Sequence, residues 1–469
     1  MEKENEEDRK LEIKFSKKSI IKAMNLSPEP EPEPEHHQKL TLSNLDLLSG
    51  RFPVTYLYLY HNTGLMNNNF SCMVETLKIS LAQTLSYYYP FAGRIIQDPD
   101  SGEPLIICDN TGALLVEAQA NVPLRKLDFY NFDDSLRGKL VLSVNPDFPT
   151  QVQVTHYACG GVSITFTFDH ALGDATAFGK FLSSWSQLAQ NLPLSCIPDH
   201  RRDRIRPRFP PTYHPSLDDT FVKCTLEEIR NVPKTNILLK RLYYVDVSSI
   251  NKLQSLASSA EGNKQSQRTK IEAFSAYLWK VMASSIDKRH AKCKMGWLVD
   301  GRGRLNSIGD EGSSMSNYIG NVLSVAIEEA SIAEIKQGSM REIANKVHEA
   351  IAKVSNEAHF LDLIDWIEWH KPGLMLSKAV LGREGPALVL SSGSRFPVTE
   401  LDFGFGSPVL GTVSSIIENS GVGYMNQRPS ARGDGSWIIS AILWPELAAA
   451  LESESDSVFQ PLRASHLQI

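Results

Sequence analysis

The stretch FTFDHALGDATAF, residues 166–178, sets a histidine, His170, and an aspartate, Asp174, four positions apart at the end of an apolar run. A histidine placed there could take a proton from a hydroxyl or an amine, because its charge changes near neutral pH. The plain alternative is a polar residue that closes a buried strand, since His-x-x-x-Asp spacing often arises by chance. Three features favour chemistry. Ala171, Gly173 and Ala175 flank the pair with small groups that let other atoms approach closely. Asp174 supplies a carboxylate able to fix the loop. No Gly-x-Ser-x-Gly elbow, His-Glu-x-x-His pair, P-loop or strand-borne Gly-x-Gly-x-x-Gly competes for the role.

The elements around the pair read clearly. Val162, Ile164, Phe166 and Phe168 alternate with Ser163, Thr165 and Thr167, which predicts a half-buried strand over 161–169. Phe178, Phe181, Leu182, Trp185, Leu188 and Ala189 then recur at helical spacing. His170 therefore falls at a strand-to-helix junction, where rigid elements often carry a functional loop. Upstream, LTLSNLDLL and the strand-like PVTYLYLY are the first expected ordered elements. A helix over about Met73–Tyr88, with Leu77, Leu81 and Leu85 on one stripe, stops at Pro90 and Gly93. Downstream, LLKRLYYVDV reads as a strand. Thr269 and Glu272 form a capping box for a helix carrying Ile271, Phe274, Leu278 and Met282. Ile343, Val347, Ile351 and Val354 fit another helix. The tail reads as strands with Gly-rich turns, Arg432-Gly433-Asp434 being a hairpin turn, before a helix opened by Pro445.

At 469 residues the chain exceeds one ordinary core, and two large domains are expected. Hydrophobic residues make up 42% and charged residues 22%, a globular balance, and the net charge of −6 speaks against a nucleic-acid partner. Cys72, Cys108, Cys159, Cys196, Cys224 and Cys293 show no CxxC or Cys/His metal spacing, so we expect reduced, buried thiols and no metal site. No apolar run is long enough to span a bilayer, and MEKENEEDRK lacks a signal-peptide core, so a cytoplasmic location is expected. The alternating Pro and Glu of SPEPEPEPE predict an extended spacer. This gives an N-terminal segment over 1–38, a first domain over 39–195, a proline- and arginine-rich crossover over 196–224, and a second domain over 225–469. The arginines of the crossover read as solvated.

HALGD, preceded by TFD and followed by a Phe/Trp-bearing helix, resembles the HxxxD signature of the plant BAHD acyltransferases. Asp402-Phe403-Gly404-Phe405-Gly406 resembles the family's DFGWG, with Phe405 where the family has tryptophan. The spacing of the two signatures is also that of the family. LSNLDL, YYPFAGRI, VDGRGRL and YIGNVL are similar to further family segments, so the resemblance covers the chain beyond the acidic spacer. Asp169 and Ala175 stand where HHxxxDG relatives such as chloramphenicol acetyltransferase have His and Gly. The overall texture is similar to members acting on coniferyl-type alcohols.

The resemblance implies a two-domain α/β protein of the chloramphenicol acetyltransferase-like fold, with mixed sheets flanked by helices and an interdomain channel. It implies acyl transfer from acyl-CoA, a co-substrate and not a bound cofactor, to a hydroxyl of a plant metabolite of phenylpropanoid type, or to an amine. His170 would be the general base, and a single chain, as a monomer, would hold the whole site. Asp174 would serve catalysis through geometry, paired with Arg302 or, failing that, Arg304; Asp402 would likewise keep a turn. Thr269, Lys270, Ser391, Ser392 and Arg395 would face the CoA nucleotide, and His36 and His37 could reach the acceptor. No residue is singled out as an oxyanion donor. A non-catalytic, partner-binding relative is the rival reading; loss of the motif histidine would mark it, and His170 is present.

Overall fold

The computed structural model describes residues 10–24, 38–48, 50–62, 70–131, 133–136, 138–225, 227–228, 238–258, 267–287, 289–305, 314–381, 385–393, 396–415, 422–453 and 458–469. His36, His37 and Arg395 lie outside the described residues.

Two large mixed sheets dominate. The first has six strands in the spatial order Ile13–Ile21, Ala113–Ala120, Thr150–His156, Val162–Asp169, Pro53–Tyr60 and Leu410–Ser415. All its pairings are antiparallel except that between Ala113–Ala120 and Thr150–His156. The second has seven, in the order Leu323–Ser331, Lys292–Asp300, Ala387–Ser392, Gly423–Pro429, Trp437–Leu443, Leu239–Val245 and Gln460–Pro461. Its three strands Lys292–Asp300, Ala387–Ser392 and Gly423–Pro429 run parallel to one another.

Helices cover both sheets where the sequence pattern places them. Phe70–Tyr87 stops at the Tyr89–Ala92 turn, and Ala175–Ala189 follows the HALGD loop. The helix Lys270–Ser285 starts on a closed capping box, with Thr269 and Glu272 satisfying each other's orphan N–H groups. Met340–Val354 and Glu357–His370 follow in the second half; the latter was not expected from the sequence.

Three expectations are corrected. The N-terminal segment is not only a spacer: Ile13–Ile21 forms an edge strand on Ala113–Ala120. Nor do the sheets divide at the crossover, because Leu410–Ser415, from the second half, pairs with Pro53–Tyr60 of the first. The strand Val162–Asp169 is buried on both faces, not one. Its hydroxyls find protein partners in place of solvent: Thr165 Oγ1 donates to the Leu140 carbonyl at 2.9 Å, and Thr167 pairs with Thr55 at 2.8 Å.

The thiols are all free, yet only Cys224 and Cys293 are fully buried and Cys72 is exposed. Among the described residues no group of His, Cys, Asp and Glu side chains could hold a metal ion, and no helix is long and apolar enough to cross a membrane.

Candidate active site

His170 opens a short turn, His170–Leu172, directly after the central strand of the first sheet. Its main chain is held at both ends. The His170 N–H donates to the Phe52 carbonyl at 2.9 Å, and its carbonyl accepts from Asn321 Nδ2 at 2.9 Å. The ring stacks on Phe52 at 4.5 Å, with the edge of Phe178 at 6.4 Å. Gly173 is required next, since a Cβ there would come within 2.6 Å of the Ala177 Cβ.

Asp174 caps the following helix, and its carboxylate is the best-satisfied group in the region. Oδ1 accepts from the Thr176 and Ala177 N–H groups, both at 3.1 Å, and from Arg302 Nη2 at 3.0 Å. Oδ2 accepts from Arg302 Nη1 at 2.8 Å and from the Val322 N–H at 2.9 Å. Arg302 also donates to the Gly320 carbonyl at 2.7 Å and to Asp300 at 3.3 Å. Burial would raise the Asp174 carboxyl, but the charge and hydrogen bonds of Arg302 hold it below the ordinary aspartate range. The fork-to-fork pair ties the HALGD loop to VDGRGRL and YIGNVL of the second half. Arg304 is exposed.

A second buried pair lies beside it, and sequence reasoning missed it. Arg202, read as a solvated crossover residue, is 3% exposed. Its Nη2 donates to the Leu172 carbonyl at 2.8 Å, Nη1 donates to the Ile319 carbonyl, and Nε lies 3.4 Å from Asp46 Oδ2. Asp46, from LSNLDL, accepts in turn from the main-chain and side-chain amides of Asn321 at 2.8 and 2.9 Å. A third pair, Arg51 with Asp169 at 2.8 Å, stands at the rim. The signal for Asp46 and Asn321 was present in the family-like segments that carry them. For Arg202 no local signal existed, because its partners are far along the chain.

Three Asp–Arg pairs surround the histidine. Each nearby carboxylate is neutralised by its own arginine, and none accepts a hydrogen bond from the imidazole. Burial lowers the His170 pKa below the ordinary value, and the residual pull of Asp174, Asp169 and Asp46 does not restore it. The imidazole is therefore neutral at pH 7. Its Nδ1 is enclosed with no hydrogen-bond partner. The residue as a whole stays partly accessible.

Asp402 is not part of this cluster. Its Oδ1 accepts from the Gly404 and Gly406 N–H groups, both at 2.8 Å, closing a turn in which the two glycines take φ of 95° and 102°. Phe403 and Phe405 are buried; Phe403 meets Trp185 at 5.2 Å and Phe405 meets Tyr60 at 4.9 Å. The smaller ring at 405 thus fills an aromatic socket. Thr269 is occupied by its own cap, Lys270 is half-buried at the same helix start, and Ser392 Oγ donates to Gln427 at 3.0 Å. Ser391 bonds the Tyr424 phenol. Among the described residues no hydrogen bond joins the Thr269–Lys270 segment to Ser391 and Ser392. A surface hollow of about 480 Å³ between Leu127–Tyr130 and Pro461–Ala464 shares no residue with the His170 cluster.

The pattern of the Transferase family matches residues 11–457. The chain belongs to that family, the BAHD acyltransferases. Shikimate O-hydroxycinnamoyltransferase of Nicotiana tabacum is 27% identical over 93% of this chain and 97% of its own length. Anthranilate N-benzoyltransferase protein 1 of Dianthus caryophyllus is 30% identical over 78% of this chain and 81% of its own. In fold, the chain is similar to TRI101 of F. sporotrichioides, solved with coenzyme A and T-2, with a TM-score of 0.70 at 17% identity over 89% of this chain and 97% of that one. The BAHD family assignment makes the protein an acyltransferase that draws on acyl-CoA, and the rival reading as a partner-binding relative falls away.

Proposed function

We propose that this acyltransferase moves an acyl group from acyl-CoA to a hydroxyl of a phenylpropanoid-type plant metabolite, with His170 as general base. The observation that carries the reading is a partly accessible imidazole, its pKa lowered by burial of its surroundings, on a loop whose nearby carboxylates are all paired with arginines. Neutral Nε2 takes the proton from the acceptor hydroxyl as its oxygen attacks the thioester carbon. A carbon–oxygen bond forms, the carbon–sulfur bond breaks, and the proton passes from the imidazole to the departing CoA sulfur. Asp174 and Arg302 act by position, since every lone pair of the Asp174 carboxylate already faces a donor. Asp402 keeps the turn that seats Phe403 and Phe405. Ser391, Ser392, Thr269 and Lys270 remain the candidates for CoA contacts, the last two through a helix N-terminus that suits phosphate. One chain supplies all of these residues, so a monomer should be active.

An amine acceptor is the second reading, favoured by the 30% identity to an anthranilate N-benzoyltransferase. The same neutral base serves both. Purified protein should be offered acetyl-CoA, benzoyl-CoA and p-coumaroyl-CoA with matched panels of alcohols and amines. The readouts are thiol release and product mass. Ester formation supports the first reading and amide formation the second; no thiol release from any pair would overturn both.

A further inference from the structure

Arg428 is 2% exposed and forms no ion pair among the described residues, where its Nε and Nη1 are enclosed without a hydrogen-bond partner. Leaving two of the nitrogens of a buried guanidinium without acceptors is costly, and each such group calls for an explanation. Its place in the fold says which ligand space it serves. Arg428 lies on the strand Gly423–Pro429, where Tyr424, Asn426 and Arg428 alternate onto one face. That face looks toward the first sheet. Ser440, the cross-strand partner of Asn426, donates to the Val413 carbonyl at 2.8 Å, and Arg428 hydrogen-bonds the phenol of Tyr56. Both Val413 and Tyr56 belong to first-sheet strands.

The guanidinium lies 3.9 Å over the ring of Phe396 and 5.1 Å from that of Tyr56, whose rings stack at 4.7 Å. Tyr56 in turn meets Phe178, which meets His170. The strand register places it further. Lys294 pairs with Ala387 and Leu388 with Gly423 in two parallel ladders. Carried to the strand ends, this sets Arg428 abreast of Gly393 and, one strand further, of Asp300, whose carboxylate holds Thr176 and Arg302. Two strand spacings are about 10 Å. Arg428 thus stands at the carboxyl ends of three parallel strands, within reach of the His170 loop, where open α/β sheets place ligands. Beside it, Asn426 Oδ1 is also buried with no partner among the described residues.

We propose that Arg428 is a specificity residue that binds a carboxylate on one of the two substrates, the adjacent Tyr56 and Phe396 flanking that group. The inference rests on the acyl-transfer reading and narrows its substrate class to an acidic one. The carboxylate could sit on the acceptor, as in an aromatic hydroxy acid, or on the acyl group, as in a CoA half-thioester of a dicarboxylic acid. A planar guanidinium takes either through paired N–H donors.

The test uses full-length wild type and Arg428→Met, with 4-(hydroxymethyl)benzoate against 4-methylbenzyl alcohol, and malonyl-CoA against acetyl-CoA. Binding is read by thermal shift and calorimetry, independent of turnover, and KM is measured wherever turnover occurs. Wild type should prefer the charged member of one pair, and Arg428→Met should lose about ten- to a hundredfold in Kd for that member while its neutral counterpart changes little. Loss within the alcohol pair assigns the carboxylate to the acceptor, and loss within the CoA pair assigns it to the donor. Equal binding of charged and neutral members by the wild type overturns the proposal, and this holds even if the variant does not fold. An equal loss for both members in Arg428→Met also overturns it. Because binding is measured apart from turnover, failure of acyl transfer itself would be seen separately.

Discussion

Removal of Arg302 tests the geometric role of the Asp174 pair. The Asp174 carboxylate accepts five hydrogen bonds, two of them from Arg302, and is wholly buried. Arg302→Ala strands that charge beside three remaining N–H groups, and breaking a buried pair in this way costs about 3–5 kcal/mol. Asp174→Ala leaves the guanidinium with Asp300 at 3.3 Å and the Gly320 carbonyl, so it should cost no more than Arg302→Ala even though it also removes a helix cap worth about 1 kcal/mol. Asp174→Asn offers no rescue. Both carboxylate oxygens face only donors, so either orientation of the amide turns its NH₂ group onto an N–H. The double variant should cost less than the sum of the singles by at least about 2 kcal/mol, since one interaction is lost only once. Urea midpoints and kcat on the four proteins give the cycle. Additive costs, or full activity in Arg302→Ala beside a dead Asp174→Ala, would refute the pairing and turn Asp174 into a direct partner of His170.

Other expectations follow from neighbouring groups. A Cβ at Gly320 would collide with the Arg202 guanidinium, so Gly320→Ala should lower both Tm and kcat, an unchanged Tm contradicting the tight seat of Arg202. Asp402→Ala should lower Tm while kcat of the folded fraction stays within a few-fold, since its carboxylate closes a turn; a thousandfold loss of kcat at constant Tm would make it catalytic. Burial lowers His200 and His359 to about 4, whereas the unfolded chain titrates near 6.5. Unfolding therefore takes up protons between those values, and stability should fall as pH drops from about 6.5 to about 4, His200 alone accounting for about 3 kcal/mol. Urea midpoints that hold constant across that window would contradict the buried neutral state.

The local patterns that locate the site were readable because they are short-range. Alternation in Val162–Phe168, the helical stripe from Phe178 to Trp185, and the Thr269–Glu272 capping box each depend on residues within one element. What escaped depends on partners far along the chain. The hydroxyls of Thr165 and Thr167 looked like a solvated face, but Leu140 and Thr55 take the place of water. Arg202 looked like a linker charge, but Asp46 and the carbonyls of Leu172 and Ile319 draw it inside. Charge composition carries no record of which charges will meet. The edge strand Ile13–Ile21 was missed for a related reason: its pairing partner lies a hundred residues on, and its own side chains are mostly exposed.

The central claim is that a neutral His170 is the base in acyl transfer, and the pH profile of wild type beside His170→Ala tests it most directly. Thiol release from acyl-CoA with a turned-over acceptor is followed from pH 5 to 9. Wild-type rate should rise with pH and reach half its plateau below 6.5, because burial holds the imidazole neutral to lower pH than usual. His170→Ala should stay folded, bind acyl-CoA, and lose about 10²–10⁴ in kcat together with that acid limb. A folded His170→Ala variant that keeps near wild-type turnover and the same pH profile would contradict the account.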